Sequence, residues 1–187
     1  MTADQATCTA TVLEETPDAA VVSNLGTASY HLAALGDRPR NVPLTGAMGA
    51  TTPLGLGLAL AVDEQVTVLD GDGSMLMSLG ALSTVARMNP SNLVVVVMDN
   101  GAYETTGGQP TLSTEVDFAG VARECGLPAW HVDSNQAFRE AYAAAVEVEE
   151  TGVVACEVAA ERPEEYPPLD YAHAYVKHRF RREFVGD

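Results

Sequence analysis

The segment Gly71-Asp72-Gly73-Ser74 combines residue types that bind phosphate through a metal ion. It follows the apolar residues 66–69 and precedes a stretch whose apolar residues have helical spacing. Glycines let the backbone come close to a ligand, and the first N–H groups of a helix attract phosphate. The carboxylate of Asp72 would repel a bare phosphate, but it suits a divalent cation between the two. The same residues are also compatible with a plain strand-to-helix turn that Asp72 caps.

A second polar segment, Asp99-Asn100, ends the most apolar run of the chain, residues 93–98. Such a continuous run is typical of a parallel strand that is buried on both faces. Asn100 follows Asp72 by 28 residues, which is long enough for a helix and the next parallel strand. We therefore expect Asp72 and Asn100 at the same edge of a sheet, where both offer oxygen atoms to one cation.

Apolar runs alternate with helical stretches along the chain, which predicts an α/β fold. We predict strands over residues 21–25, 42–45, 66–69, 93–98, 129–132 and 153–159. We predict helices over residues 27–35, 51–62, 75–88, 116–125 and 136–149, with another from residue 171. The whole chain, 1–187, is expected to be one domain, a doubly wound parallel sheet with helices on both faces. Residues 1–18 and 163–187 are expected to be peripheral terminal segments.

The composition argues against several classes of protein. The 187 residues include 26 acidic and only 10 basic ones, a net charge of −16, which disfavours binding to nucleic acids or anionic membranes. No apolar stretch is long enough to span a membrane, and no signal peptide is evident, so we expect a cytoplasmic protein. The three cysteines, Cys8, Cys125 and Cys156, are too widely spaced to predict a zinc or iron–sulfur site.

The two polar segments together resemble the thiamine diphosphate-binding motif, Gly-Asp-Gly followed by a spacer and an asparagine-rich end. The spacer has 25 residues here, and Asp99-Asn100 stands where the family usually has Asn-Asn. The resemblance implies that Asp72, Asn100 and the main-chain carbonyl of Ala102 bind Mg²⁺. The residues implied to bind thiamine diphosphate are Gly46, Ala47, Met48, Gly71, Asp72, Gly73, Ser74, Asn100, Ala102 and Tyr103.

The segment Gly46-Ala47-Met48-Gly49 resembles the glycine-flanked segment of this family that carries one large apolar residue. The resemblance implies that Met48 supports the bent shape of the cofactor and that the Gly46 carbonyl accepts a hydrogen bond from the 4′-amino group. Taken alone, a methionine at this position is more often an ordinary core residue, and the two neighbouring segments reverse that preference.

Over roughly residues 20–160 the chain resembles the β subunits of sulfopyruvate decarboxylases and the matching half of phosphonopyruvate decarboxylases. Their substrates are 2-oxo acids with a second anionic group. The loop of Thr105, Thr106, Gly107, Gly108 and Gln109 offers hydrogen-bond donors to that anion, although it is also compatible with a surface turn. Simple pyruvate decarboxylases have an acidic catalytic residue where this chain has Thr106, so Thr106 and the nearby Glu104 are the candidate catalytic residues.

The pyrimidine-binding domain of the family has no counterpart in these 187 residues. The resemblance therefore implies a separate α subunit, which supplies the key glutamate, and a homodimer of this chain within an α/β hetero-oligomer. Two other functions stay open. The chain also resembles the β subunit of 2-oxoacid:ferredoxin oxidoreductases, although it lacks cysteines for a cluster, and it could be a non-catalytic subunit that only binds thiamine diphosphate.

Overall fold

The computed structural model describes residues 2–160 and 172–186. Its strands are β1 (Ala20–Ser23), β2 (Asn41–Pro43), β3 (Val66–Gly71), β4 (Leu93–Asp99), β5 (Ala102–Tyr103), β6 (Gln109–Pro110), β7 (Ala129–Val132) and β8 (Gly152–Glu157). Its α-helices are α1 (Gln5–Glu15), α2 (Thr27–Ala34), α3 (Thr51–Ala59), α4 (Asp72–Met77), α5 (Ala81–Met88), α6 (Phe118–Glu124), α7 (Asn135–Glu147) and α8 (His173–Val185).

Six strands form one parallel sheet in the order β2-β1-β3-β4-β8-β7, and β5 and β6 form a small antiparallel pair. Helices cover both faces of the large sheet. Side chains of β4 alternate between two apolar clusters, with Val95 in the cluster beneath α3, α5 and α6, and Val96 in the cluster beneath α1, α2 and α7. The predicted doubly wound α/β fold is confirmed.

The single helix predicted over residues 75–88 is wrong, because two helices, α4 and α5, occupy this region. Ser78 leaves the helical conformation at the end of α4, and Gly80 precedes α5. Gly80 keeps helical backbone angles, so the break lies at Ser78, and the helical spacing of apolar residues continues across it. The first helix also begins at Asp72, three residues earlier than predicted, which places the Gly-Asp-Gly segment at the helix start.

The prediction that residues 51–62 form a helix buried on nearly every face is also wrong. The helix α3 ends at Ala59, and Leu54 on its outer side and Leu60 directly after it are 37% and 50% accessible. The two glycines of α3 differ in their surroundings. A Cβ atom on Gly55 would lie 2.0 Å from Val68 Cγ2 of β3, whereas one on Gly57 would meet nothing within 4 Å.

This difference predicts opposite effects of the same substitution on stability. Gly55→Ala should lower the free energy of unfolding by about 1–3 kcal/mol, because the added methyl group overpacks the contact with β3. Gly57→Ala should leave stability unchanged or raise it by up to about 1 kcal/mol, because alanine is the better helix former. Urea unfolding of both variants measures the difference, and equal stabilities would contradict the packing described here.

The expectation that residues 1–18 are peripheral is wrong as well, because α1 contributes Cys8 and Val12, both fully buried, to the core. At the other end, α8 packs beside β2 and buries Val176 and Phe180. Residues 161–171, where the predicted C-terminal helix begins, lie outside the described residues. None of the described helices is long and apolar enough to cross a membrane.

Candidate cofactor site at the carboxyl edge of the sheet

A cavity of about 440 Å³ opens at the carboxyl ends of β1, β3 and β4. It brings together residues that are far apart in sequence, as expected for the edge of a parallel sheet where the strands end. The predicted site residues that line it are Met48, Gly71, Asp72, Gly73, Ser74, Asn100, Ala102, Tyr103, Glu104, Thr105 and Thr106. Gly46, Ala47, Gly107, Gly108 and Gln109 were also predicted, but they do not line it.

Asp72 is one of the two carboxylate residues that line this cavity, with Glu104, and is only 3% exposed. The residue that caps α4 is Gly71, so Asp72 is not the capping residue of a plain turn. Its carboxylate accepts a hydrogen bond from the Thr111 hydroxyl. Burial raises the pKa of the Asp72 carboxyl, and the bond from Thr111 opposes this effect. A buried carboxylate is unfavourable unless it is paired or coordinates a metal, so the position favours a cation as partner.

Asn100 and Ala102 offer two further oxygen atoms beside Asp72. The Asn100 side-chain oxygen accepts a bond from Ala102 N at 3.0 Å, which fixes the amide at the start of the loop. The carbonyls of Gly101 and Tyr103 accept bonds from Thr111 N and Gly108 N on the side of β6. Because successive carbonyls of an extended chain alternate in direction, the Ala102 carbonyl points away from β6.

The residues present fit a magnesium ion that is shared with a diphosphate. Among the described residues, no group of three His, Cys, Asp or Glu side chains could hold a metal alone. Magnesium commonly takes one or two carboxylates and completes its shell with water and phosphate oxygens, which suits this donor set. The N–H groups in the first turn of α4, at Gly73 and Ser74, have no carbonyl partner within the helix and can face a phosphate.

Gly73 is required by the close approach of the neighbouring loop. A Cβ atom there would lie 2.3 Å from Tyr103 Cε1, so a side chain at this position would push the aromatic ring away. Tyr103 belongs to β5, the strand that carries the Ala102 carbonyl. The glycine therefore lets α4 and β5, which both carry proposed ligands, pack directly against each other.

The loop of residues 46–49 is tied to the same helix, since Gly49 N donates a hydrogen bond to Ser74 Oγ at 2.9 Å. Ala47 has a positive φ of 60°, an uncommon conformation for alanine that functional loops often contain. Met48 is half-buried, lines the cavity and belongs to neither core cluster, so it is not an ordinary core residue. Gly46 and Ala47 are exposed, and only Met48 of the three reaches the cavity wall.

The loop of residues 104–109 contributes only its first half to the cavity. Glu104 is 7% exposed, and its carboxylate accepts a bond from Thr27 Oγ1 at 2.7 Å. Thr105 and Thr106 follow it on the wall. Gly107, Gly108 and Gln109 are exposed instead, because both glycines have positive φ and Gln109 Nε2 folds back onto the Thr106 carbonyl at 3.0 Å.

Several residues of the cavity wall were missed by the sequence analysis. They are Gln5, Asn24, Leu25, Thr27, Ala28, Met77 and Met98. Asn24 directly follows β1, so the rule that ligands bind beyond strand ends could have found it. Gly26 lies beside the 104–106 turn, because a Cβ atom there would be 2.4 Å from Thr105 Oγ1.

A parallel sheet with a donor-lined cavity at its carboxyl edge defines a cofactor-binding α/β domain. Residues 24–158 match the family model described as thiamine pyrophosphate enzyme, C-terminal TPP binding domain. The chain belongs to this family of thiamine diphosphate enzymes, and thiamine diphosphate is its cofactor.

Similar proteins are named decarboxylases. The chain is 37% identical to the sulfopyruvate decarboxylase subunit beta of Methanococcus maripaludis over 171 residues, which cover 90% of this chain and 91% of that protein. It is 50% identical to the phosphonopyruvate decarboxylase of Streptomyces viridochromogenes over 121 residues, 64% of this chain but only 30% of that enzyme. These matches support a subunit of a thiamine diphosphate-dependent decarboxylase and confirm the predicted resemblance.

The fold is shared with solved thiamine diphosphate enzymes. The thiamine diphosphate-dependent 4-hydroxybenzoylformate decarboxylase of Rhodococcus jostii RHA1 superposes with a TM-score of 0.75 and 24% identity, over 87% of this chain and 34% of that one. The chain therefore spans about a third of this larger enzyme.

Proposed function

We propose that this chain is the diphosphate-binding subunit of a decarboxylase that converts 3-sulfopyruvate or phosphonopyruvate to the corresponding acetaldehyde and CO₂. The observation that carries the proposal is the single cavity that joins Asp72, Asn100 and Ala102 to Met48 and the 104–106 turn. The names of the similar proteins support the same substrates. They also favour decarboxylation over the oxidoreductase and non-catalytic alternatives.

Each part of the cavity has a separate task in this proposal. Asp72, Asn100 and the Ala102 carbonyl hold Mg²⁺, and the N–H groups of Gly73 and Ser74 bind the diphosphate. When bound, thiamine diphosphate supplies the electron sink that decarboxylation requires. Met48 supports the cofactor from the apolar side of the cavity.

The substrate lies against the 104–106 turn. The hydroxyl group of Thr105 donates a hydrogen bond to its anionic substituent, and Thr106, whose own hydroxyl donates to Gln109 Oε1 at 3.0 Å, forms the wall beside it. Glu104, held by Thr27, exchanges a proton with the reacting substrate, because of the two carboxylates of the cavity it is the one within the 104–106 turn, and Asp72 is the proposed metal ligand.

A separate α subunit completes the site in this proposal. The outer side of α3 has no charged residue and exposes Leu54, Leu60 is exposed directly after it, and this surface stands out on a chain with a net charge of −16. Met77, on the rim of the cavity, is 60% exposed. We propose that these apolar residues contact the α subunit, which covers the cavity and excludes water from it.

The proposed function is tested by incubating this chain and a candidate α subunit with thiamine diphosphate, Mg²⁺ and either 2-oxo acid. Formation of CO₂ with sulfoacetaldehyde or phosphonoacetaldehyde supports it, and the preferred substrate identifies the anion. Cofactor binding without turnover of either acid would contradict it. Reduction of ferredoxin in the presence of coenzyme A would instead support the oxidoreductase.

Met48→Ala should separate cofactor binding from turnover. We expect thiamine diphosphate affinity to change less than about threefold, because the diphosphate contacts stay, while kcat falls roughly tenfold or more as the bent cofactor loses its support. Calorimetry and steady-state kinetics of the α/β complex measure the two quantities. Met88→Ala, on an exposed part of α5, is the matched control. Full turnover in Met48→Ala would show that Met48 has no such role.

A further inference from the structure

Gln5 lies on the cavity wall, although it falls outside residues 24–158 that match the family model. It is the first residue of α1 and is only 8% exposed. Within residues 2–160 and 172–186 its side-chain amide has no hydrogen-bond partner. The amide is not among the fully buried unpartnered side-chain atoms of the described residues, so it opens onto the cavity, where its donors are available to a ligand.

The position of Gln5 is fixed by the residues just before it. Ala3 forms a parallel bridge with Val158, immediately beyond the end of β8, and so lies at the carboxyl edge of the sheet. Its N–H donates to the Asp133 carbonyl at 2.9 Å, and its carbonyl accepts from Ala159 N at 2.9 Å. Asp4 then caps α1 by accepting a bond from Thr7 N. These bonds hold the start of α1, and therefore Gln5, beside the site.

Gln5 belongs to the part of the wall formed by α1, α2 and the 104–106 turn. The helices α1 and α2 pack together, and α2 carries Thr27, the residue bonded to Glu104. The proposed metal and diphosphate ligands lie instead on α4, β5 and the end of β4. Gln5 is thus placed on the proposed substrate side.

We propose that the Gln5 amide binds an anionic group of the 2-oxo acid substrate, an inference that rests on the proposed function. Its two N–H donors can form charge-assisted hydrogen bonds with carboxylate, sulfonate or phosphonate oxygens. As a neutral group, it does so without placing an unpaired charge in the cavity when the substrate is absent. Gln5 thereby extends the substrate site beyond the family domain to the N-terminal helix.

The experiment uses the α/β complex loaded with thiamine diphosphate and Mg²⁺, with Gln5→Leu and Gln5→Glu as variants. Gln136→Leu, on the exposed side of α7, makes the same change away from the cavity. The probes are 3-sulfopropanoate and 3-phosphonopropanoate, which carry both anions but no reactive 2-oxo carbon. Calorimetry measures their Kd, and kinetics measure KM and kcat.

We expect Gln5→Leu to raise the Kd of the probe and the KM of the substrate about tenfold or more, with a smaller effect on kcat. Gln5→Glu keeps the size of the side chain but repels the anion, so it should weaken probe binding further. Cofactor affinity should stay within about twofold of wild type in both variants, and Gln136→Leu should change nothing. If Gln5 only stabilised the structure, Gln5→Glu would not weaken probe binding more than Gln5→Leu does.

Unchanged probe binding in Gln5→Glu would overturn the proposal, as would a loss of cofactor affinity that accounts for the whole effect. These failures differ from failure of the proposed function. In that case the wild-type complex itself would bind neither probe and decarboxylate neither acid, which would overturn both proposals together. If Gln5→Leu does not fold, the isosteric Gln5→Glu variant alone decides the outcome.

Discussion

Asp72→Ala is expected to abolish magnesium-dependent binding of thiamine diphosphate while the chain stays folded. Asp72 is the carboxylate that faces the proposed metal position, and the other proposed ligands, Asn100 and the Ala102 carbonyl, are neutral. Without the charge, Mg²⁺ loses the ligand that offsets its own desolvation and that of the diphosphate. We expect the cofactor Kd to rise by at least two orders of magnitude, which corresponds to about 3 kcal/mol.

Removing the charge of Asp72 should weaken cofactor binding, but it should not lower the stability of the metal-free chain. Because burial raises the pKa of Asp72 in the folded chain, ionisation of this carboxyl disfavours folding, and its contribution to stability falls as the pH rises through the shifted pKa. Asp72→Asn keeps the shape of the side chain and removes the charge. Without metal, this variant should therefore be at least as stable as wild type at neutral pH.

Calorimetry with thiamine diphosphate, with and without Mg²⁺, and thermal unfolding of the same samples measure both effects. Asp63→Ala, which removes an exposed carboxylate far from the cavity, is the control and should bind the cofactor normally. Wild-type affinity in Asp72→Ala would disprove the metal assignment. Loss of affinity together with loss of the folded state would show that Asp72 is needed for folding instead.

The sequence predicts the sheet and its functional edge because few physical rules govern them. Strands buried on both faces are mostly apolar: β4 is apolar over residues 93–98, and β3 is apolar apart from the buried Thr67 and Asp70 before its final glycine. Connections between parallel strands bring the residues after each strand to one edge, so Asp72 and Asn100 could be placed together from spacing alone. Both residues indeed line one cavity.

The N-terminal helix could not be predicted from apolar spacing, because polar residues occupy part of its buried side. Thr9 is fully buried, and its hydroxyl donates a hydrogen bond to the Gln5 carbonyl at 2.8 Å. Thr11 is nearly buried and bonds in the same way to the Thr7 carbonyl at 3.0 Å. Bonds within the helix satisfy these hydroxyls, so threonine takes core positions that a hydrophobicity pattern assigns to solvent. The place of Gln5 in the cavity was missed because a hydrophobicity pattern also assigns this polar residue to solvent.

The sequence could not predict which side of α3 faces solvent, because this helix has no polar side. Its residues are apolar or small on every side, so the pattern contains no polar stripe to mark which side meets solvent. The structure identifies the inner side by the burial of Leu56 and Ala59 and by the contact of Gly55 with Val68. An apolar outer side on a single chain is consistent with a surface that a second chain covers.

The purified chain is expected to self-associate but to show no decarboxylase activity until an α subunit is added. The cavity is open beside exposed Met77, and water that enters it would weaken each polar contact between this chain and a bound cofactor or substrate. Leu60→Glu should prevent assembly, because it places a charge in the proposed apolar contact. We expect turnover of the α/β mixture to fall at least tenfold in this variant. Leu35→Glu, at a residue of similar exposure (46% against 50%), should have no effect.

Analytical ultracentrifugation of each variant with the α subunit, beside assays of CO₂ release, distinguishes lost assembly from lost chemistry. If Leu60→Glu assembles and works as well as Leu35→Glu, then the α subunit does not bind the outer side of α3. Robust turnover of sulfopyruvate or phosphonopyruvate by the chain alone would refute the divided site itself. In the proposed divided site a residue of the α subunit activates the cofactor, so activity should follow the concentration of the complex and not that of either subunit.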